Sequence, residues 1–237
     1  MTATLPTILL TRPEAQSRDF ATRLRARIGP DVPVIISPVL DIVPVPFDLP
    51  VAPRFLVLTS VHAAEAARRA GLANLPAFCV GDRTAEAARS AGLLPRSAAG
   101  DAAALVSLLK AARPDGPGLY LRGRHAASDI ASELVSAGLD THAVVAYDQI
   151  AKPLSAPACA VLDAAAPVIL PVFSPRSSRL LARDTAGARA PLDLIAISVA
   201  AAAPWEDRPV SIAITAAPDG AAMEDAVVER VHARSAC

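Results

Sequence analysis

The chain has 237 residues, of which 53% are hydrophobic and 19% are charged, so it can bury one large core or two smaller ones. Its 23 basic and 23 acidic side chains give a formal net charge of +0 at pH 7. This balance argues against a partner such as nucleic acid or an anionic membrane, which normally requires a basic excess. A small anionic ligand remains possible, because a few local arginines are enough to bind one.

The cysteines and the N-terminus indicate a cytoplasmic protein. The thiols form no CxxC pair and the four histidines show no zinc spacing, so we expect reduced cysteines and no metal site. The first residues contain neither a basic region nor a long apolar run, which predicts that there is no signal peptide. The cysteines are Cys79, Cys159 and Cys237.

The N-terminal part of the chain predicts a strand, a helix and a second strand. The strands are expected at Thr7–Thr11 and Val34–Ile36, and the helix between them ends at Gly29. The segment Ser37–Pro53 contains five prolines, which exclude a helix or a central strand. We therefore expect an extended connector there.

The middle of the chain alternates apolar runs with helical patterns, as is typical of a parallel α/β sheet. Strands are expected at Arg54–Thr59, Ala77–Val80, Leu94–Arg96, Leu119–Leu121 and His142–Tyr147. The helices between them are expected to begin at Ser60, at Asp82 or Thr84, at Asp101 and at Asp129.

The same alternation continues to the C-terminus. A helix capped by Ser155 carries Pro157 in its first turn, and an alanine-rich helix is broken at Pro204–Trp205. Further strands are expected at Val168–Phe173, Leu194–Ile197 and Ser211–Thr215, and further helices after Ser174 and at Gly220–Val231.

Four kinds of unit occur twice along the chain, which indicates an internal repeat. The copies are FLVLTSVHAAEAA from Phe55 with VILPVFSPRSSRLLA from Val168, FCVGDRTAEAA from Phe78 with IAISVAAAA from Ile195, RSAAGDAAALVSLL from Arg96 with ITAAPDGAAMEDAVV from Ile214, and LYLRG from Leu119 with ILLTRP from Ile8. The arginine unit stands last in the middle of the chain, whereas in the remainder it stands first.

This order of units predicts an α/β fold of two similar parallel-sheet, flavodoxin-like lobes, one inserted in the other and joined by a two-stranded connector. Lobe 1 would comprise residues 1–38 and 152–237, and lobe 2 residues 52–147, with connectors at 39–51 and 148–151. A single doubly wound sheet is the alternative, although ten strands would be near the upper limit for one open sheet. We expect a monomer, because no helix shows a surplus apolar face.

Candidate site residues lie at the predicted carboxyl ends of the strands, where open parallel sheets bind ligands and helix N-termini attract anions. The candidate binding residues are Arg12, Ser60, Thr84, Arg122, Arg124, Ser174 and Ser198, and Tyr147 ends the last strand of the middle lobe. Each also has a structural explanation, since serines cap helices, arginines pair with neighbours and a lone tyrosine is often half-buried. If both lobes face one cleft, anion-binding turns line it.

Three further residues are expected to have no catalytic role. His62 and His125 lie near predicted helix starts and are interpreted as exposed caps. Trp205 is interpreted as a packing residue.

Six segments stand in a constant order over nearly the whole chain: LLTRPEAQS from Leu9, VLTSVHAAEA from Val57, FCVGDRTAEAARSAG from Phe78, LYLRGRHAASDIASELVSAG from Leu119, VVAYDQ from Val144 and VFSPRSS from Val172. Together they resemble the uroporphyrinogen-III synthase family. The resemblance implies two α/β lobes joined by a two-stranded ladder, one inserted in the other.

The resemblance also implies an activity. The family is a group of lyases that close the linear tetrapyrrole hydroxymethylbilane to uroporphyrinogen III, inverting the last pyrrole ring and losing water, in haem, sirohaem or cobalamin biosynthesis. No cofactor or metal is implied, and hydroxymethylbilane synthase would be a transient partner. The resemblance places Ser60, Thr84, Tyr147 and Ser174 at the cleft, with Tyr147 as the candidate acid.

The chain departs from the family pattern in two places. Ser198-Val199-Ala200-Ala201 stand where the family usually has residues like Gly-Pro-Thr, so a hydroxyl contact is missing. The turn Gly123–Ser128 lacks the usual Asn and Gly. Two other functions are considered: a non-enzymatic two-lobe binding protein for an anionic small molecule, and a nucleotide-sugar transferase, for which the sequence offers no acidic metal-binding pair or glycine-rich nucleotide loop.

Overall fold

The computed structural model describes residues 5–125, 129–206 and 210–235. The chain divides into two compact units. The first comprises Met1–Asp41 and Ala151–Cys237, and the second comprises Ile42–Ile150. The second unit is therefore inserted in the sequence of the first, as the order of the repeated units predicts.

Strands and helices alternate along nearly the whole chain. The strands are β1 (Thr7–Leu10), β2 (Val34–Ile36), β3 (Leu40–Pro44), β4 (Phe55–Leu58), β5 (Pro76–Cys79), β6 (Leu94–Ser97), β7 (Gly118–Gly123), β8 (Thr141–Ala151), β9 (Val168–Val172), β10 (Leu192–Ala196) and β11 (Ser211–Ile214). The helices are α1 (Glu14–Ile28), α2 (Val61–Arg69), α3 (Asp82–Ser90), α4 (Ala102–Ala112), α5 (Ile130–Ser136), α6 (Ala156–Asp163), α7 (Pro175–Asp184), α8 (Val199–Ala202) and α9 (Gly220–Ser235).

The first unit contains a five-stranded sheet in the order β11-β10-β9-β1-β2, with parallel pairing throughout. Strands β1 and β9 at its centre are buried along their whole length because helices cover both faces of the sheet. Leu9 packs in one buried cluster with Leu170 and Trp205, whereas its neighbour Ile8 packs in another with Phe20. Full burial of each large apolar side chain stabilises the fold by about 1.5–3 kcal/mol.

The second unit contains a six-stranded sheet in the order β3-β8-β7-β4-β5-β6. The pairings β4–β5, β4–β7, β5–β6 and β7–β8 are parallel. Leaving out β3, the strand order reproduces that of the first sheet: β6, β5, β4, β7 and β8 correspond to β11, β10, β9, β1 and β2. The topology therefore supports the internal repeat that the sequence indicates.

Strands β3 and β8 form the additional pair at the edge of the second sheet. The amide of Val45 donates to the carbonyl of Ala146 (3.0 Å) and the amide of Lys152 to the carbonyl of Val39 (2.9 Å), which is antiparallel pairing. The predicted extended connector thus includes an edge strand, where Pro44 is tolerated. The expectation that β8 ends at Tyr147 was wrong, because pairing extends it to Ala151.

Side-chain caps begin most of the helices. Ser60, Asp101, Asp129, Ser155, Ser174 and Ser198 each accept a hydrogen bond from a backbone N–H of the following turn. The prediction that Asp82 or Thr84 caps α3 was wrong. Gly81 occupies the cap position in an extended conformation without a side-chain bond, so both residues lie inside the first turn.

Trp205 has the packing role expected for it. The side chain is fully buried, and its Nε1 donates to the Ser178 hydroxyl at 2.8 Å. In the described ranges, none of the helices has the length and apolar character needed to cross a membrane.

A buried ion pair ties α9 to the first sheet. Asp193, on β10, has no exposed surface, and its carboxylate accepts hydrogen bonds from Arg230 at 3.1 Å and from Arg234 at 2.7 Å. Both arginines keep part of their surface in solvent. The carboxylate, rather than the arginines, is therefore the group that would be costly to leave without its partner.

We predict that Asp193→Asn lowers the free energy of unfolding by about 2–3 kcal/mol, because the amide cannot replace charge-assisted bonds to two arginines. Chemical denaturation of the full chain measures the loss. Asp225→Asn is the matched control: Asp225 is 70% exposed and pairs with Arg27, so its stability should match the wild type. Equal stabilities of the two variants would contradict the role assigned to Asp193.

Candidate functional site

Five of the predicted site residues belong to the second unit: four lie at or just after the carboxyl ends of its strands, and Tyr147 lies within β8, paired with the last residue of β7. Since β4, β5, β7 and β8 are parallel, these ends share one edge of the sheet. The residues are Ser60, Thr84, Arg122, Arg124 and Tyr147.

A β-bulge sets the orientation of Tyr147. Arg122 pairs with Val145 but Gly123 pairs with Tyr147, so Ala146 is an extra residue in β8. Neighbouring residues of a regular strand point to opposite faces, whereas here Ala146 and Tyr147 both join the same buried cluster. The bulge therefore turns the tyrosine toward the α2 side of the sheet.

Tyr147 is buried, with 8% of the residue exposed, and its ring packs against Gly123. A Cβ atom at position 123 would lie 2.7 Å from the Cε2 atom of the ring and 3.2 Å from its hydroxyl oxygen. The His62 ring lies at a centroid distance of 5.6 Å from Tyr147, tilted by 57°. The position of the phenol thus depends on a residue without a side chain.

The interpretation of His62 as an exposed cap was wrong. His62 is half-buried on the first turn of α2, beside Tyr147. Burial lowers the pKa of its imidazole, and the positive charge of Arg83 lowers it further, so the ring is neutral at pH 7. The signal in the sequence was its spacing from Ala66, one helical turn later and buried on the same helix.

The two arginines of the turn after β7 differ in their partners. Arg122 is half-buried, and its Nη1 donates to the carbonyl of Gly123 at 3.3 Å. Arg124 is exposed, and its Nε donates to the Asp148 carboxylate at 2.8 Å. Burial alone would raise the pKa of Asp148, but the bonds from Arg124 and from the Gln149 amide lower it overall. Arg124 therefore already has an anionic partner.

The remaining two residues of this edge belong to helix starts. The Ser60 hydroxyl accepts from the amide of His62 at 3.2 Å, so it serves as a cap. Thr84 is buried in the first turn of α3, and its amide donates to the carbonyl of Gly81 at 3.1 Å. Gly81 has no side chain, so no side chain caps the N-terminus of α3, whereas the Ser60 side chain caps that of α2.

The other three predicted binding residues lie at the carboxyl edge of the first unit's sheet. The Arg12 guanidinium stacks on the Phe173 ring at 4.0 Å from its centroid, a cation–π contact. Ser174 accepts from the amide of Ser177 at 3.1 Å, and Ser198 accepts from the amide of Ala201 at 3.3 Å. The two serines therefore cap helices and Arg12 contacts a neighbouring aromatic ring, which are structural roles.

The two cysteines in the described ranges differ in their exposure. Burial raises the pKa of Cys79 to about 11, so it remains a protonated thiol at neutral pH. Cys159 is exposed, and Cys237 lies outside the described residues. Ser128, at the end of the turn that departs from the family pattern, lies outside them too.

A family model described as uroporphyrinogen-III synthase HemD matches residues 19–224. The chain belongs to the uroporphyrinogen-III synthase family. No curated protein sequence matches it.

Two solved structures share the fold of the chain. Uroporphyrinogen-III synthetase from Helicobacter pylori 26695 is 14% identical, with a TM-score of 0.66 over 95% of this chain and 99% of that one. A mutant uroporphyrinogen III synthase from the extremely thermophilic bacterium Thermus thermophilus is 16% identical, with a TM-score of 0.51 over 97% of this chain and 99% of that one. The predicted family, the two-lobe α/β fold class and the enzyme class, a lyase, are confirmed. The alternative of a non-enzymatic binding protein has no support.

Replacing Gly123 tests the packing of Tyr147. We predict that Gly123→Ala displaces the ring and lowers kcat at least about ten-fold, because a small misplacement of a reacting group is costly. Gly187→Ala is the matched control in the exposed turn after α7, where an added Cβ also meets nothing within 4 Å. Initial rates with hydroxymethylbilane, compared with thermal unfolding midpoints, separate the two. Equal kcat values would contradict the packing argument.

The burial of His62 predicts a pH dependence of stability. The unfolded chain binds a proton at His62 near its ordinary pKa of 6.5, whereas the folded chain resists protonation. The free energy of unfolding should therefore fall as the pH drops below about 6.5. His62→Gln should remove this part of the loss. Denaturation at pH 7 and pH 5 tests it, and parallel losses in both proteins would contradict it.

Proposed function

We propose that the chain converts hydroxymethylbilane to uroporphyrinogen III, with Tyr147 hydrogen-bonding to or protonating the hydroxymethyl oxygen that leaves as water. Membership of the family supports the reaction. The observation that carries the role of Tyr147 is its fixed ring, held on Gly123 and beside the neutral His62 at the carboxyl edge of the sheet.

A phenol is sufficient for this step. Loss of the hydroxymethyl oxygen as water leaves a resonance-stabilised azafulvenium cation, so the leaving group needs only a weak acid. The phenolate then regains a proton when the closed macrocycle loses one. The neutral imidazole of His62 adds no positive charge next to the developing cation.

The substrate carries many carboxylates, and dispersed anion-binding groups suit it better than one strong cationic pocket. We propose that Ser60, Thr84, Arg122 and Arg124 bind carboxylates at the edge of the second unit. Backbone N–H groups at the N-termini of α2 and α3 would contribute, because helix dipoles favour anions there. Arg122 is the stronger of the two arginine candidates, since Arg124 already pairs with Asp148.

The edge of the first unit is proposed to bind carboxylates in the same way, through Arg12, Ser174 and Ser198. The Arg12 guanidinium stacks on the Phe173 ring, which would hold its positive charge at this edge of the sheet. The missing hydroxyls at Ala200 and Ala201 leave the N-terminus of α8 with the Ser198 hydroxyl and backbone amides. The remaining part of the catalysis is orientation of the substrate. Ring closure with inversion must be faster than the spontaneous closure that occurs without inversion.

We further propose a monomer that works in the cytoplasm and receives its substrate from hydroxymethylbilane synthase through a transient contact. The scattered cysteines and the balanced charge support this proposal. Hydroxymethylbilane closes spontaneously to the isomer without inversion, so a short transfer preserves it. Nucleic acid and membranes are not proposed as partners.

Tyr147→Phe tests the role of the phenol. We predict that it lowers kcat by about ten- to a hundred-fold while the KM changes little, because the hydroxyl acts on the leaving oxygen rather than on binding. Tyr120→Phe is the matched control: its hydroxyl lies 3.4 Å from the hydroxyl of Thr59, just after the neighbouring strand, and is assigned no catalytic role. A Tyr147→Phe enzyme with unchanged turnover would remove Tyr147 from the mechanism.

The ratio of uroporphyrinogen isomers tests the function itself. Purified wild-type protein incubated with hydroxymethylbilane should yield isomer III faster than the protein-free blank yields isomer I. Oxidation to the porphyrins and chromatographic separation measure both. If isomer I alone accumulated at the blank rate, the proposed function would be overturned whatever the variants do.

A further inference from the structure

A cavity of about 340 Å³ lies within the second unit, between α2 and the β3–β8 edge of the sheet. Its wall is mostly apolar and includes Val45, Phe47 and Ala66. Tyr147 and His62 also line it. The cavity thus lies next to the phenol to which the mechanism assigns the leaving oxygen.

The polar part of the lining is a charged cluster on α2. The Glu65 carboxylate accepts hydrogen bonds from Arg68 at 2.8 Å and from Arg69 at 2.9 Å. The bonds from Arg68 and then from Arg69 lower the pKa of Glu65 to about 2 against the opposing effect of burial, so it is ionised at neutral pH. One carboxylate with two guanidinium groups leaves a net positive charge of one.

Only part of this cluster reaches the cavity. Of the described residues, Glu65 and Arg69 line the cavity, whereas Arg68 is outside its lining. His62 and Arg69 are seven residues apart, which is roughly 10 Å along a helix. The cavity therefore presents aromatic rings at one end of α2 and the Arg69 guanidinium, paired with the Glu65 carboxylate, at the other, with apolar surface between them.

We propose that this cavity is a subsite for one carboxyalkyl-substituted pyrrole ring of the substrate. The ring would pack on the apolar wall beside Tyr147, and one of its carboxylates would bind Arg69. A pyrrole ring is planar and largely apolar, and its carboxyalkyl arms end in anions, so its two parts match the two parts of the cavity. The proposal rests on the proposed function, because it names how the same site holds its substrate.

The subsite assigns different tasks to two neighbouring arginines. Arg69 contributes to the lining and would meet the substrate carboxylate directly. Arg68 shares the Glu65 partner but would meet nothing of the substrate. Removal of either arginine leaves Glu65 with one guanidinium partner and removes one positive charge, so the two variants are matched in charge.

Binding of a single ring tests the subsite apart from turnover. The probe is a monopyrrole that carries one acetate and one propionate arm, titrated into the full-length protein and followed by NMR. We expect Arg69→Gln to weaken its binding about five- to ten-fold and Arg68→Gln to leave the Kd unchanged. Ala66→Leu, which fills the cavity, should abolish binding, and thermal unfolding confirms that each variant is folded.

Steady-state kinetics with hydroxymethylbilane complete the test. Arg69→Gln should raise the KM about five-fold with little change in kcat, and Arg68→Gln should behave as the wild type. Equal effects of the two substitutions, or monopyrrole binding that is as tight to Ala66→Leu as to the wild type, would overturn the subsite. A pyrrole without carboxylates that binds equally well would overturn the assignment to Arg69.

These outcomes separate the subsite from the function. If the protein forms isomer III but the monopyrrole does not bind, the subsite is wrong and the proposed function stands. If the monopyrrole binds through Arg69 but isomer III never forms, the cavity is a pyrrole-carboxylate site and the proposed function is wrong.

Discussion

Parallel pairing of β7 with β8, interrupted by one extra residue at Ala146, is the constraint on which the candidate site depends. It turns Tyr147 onto the α2 side of the sheet, where the absence of a side chain at Gly123 leaves space for the ring. His62 then lies beside that ring and becomes half-buried. A regular strand would point Tyr147 to the opposite face, because side chains alternate along it.

The two units share one strand order but differ in the candidate site residues that they carry. Arg12 and Arg122 end corresponding strands, and Ser60 and Ser174 cap corresponding helices. These repeated residues are suited to holding carboxylates, because positive charge and free amides recur at the carboxyl edges of parallel sheets. Tyr147 occurs in the second unit alone, in the extra length of strand that pairs with β3. Anion binding is thus a property of the repeat, whereas the proposed proton donation belongs to one copy.

Most of the elements could be predicted because their signals are local. Apolar runs, prolines and glycines placed the strands and helix ends, and the order of repeated units placed the insertion. The predicted cap of α3 was wrong because Gly81, which has no capping side chain, occupies that position. Asp82 and Thr84 were predicted because their side chains can cap a helix. His62 was missed because its neighbour across space, Tyr147, is far from it in the chain. The edge strand β3 was expected only as an extended segment, since its partner β8 is distant in the sequence.

The sequence by itself determined the alternation of strands and helices, the repeat, the family and the residue types available for binding anions. These follow from periodicity and composition, which neighbouring residues impose on one another. The tertiary structure alone decided the bulge at Ala146, the contact of Tyr147 with Gly123 and His62, and the cavity that joins them to Arg69. Those features arise from strand register and from packing between segments that are distant in the sequence, and neither can be predicted from local residue patterns.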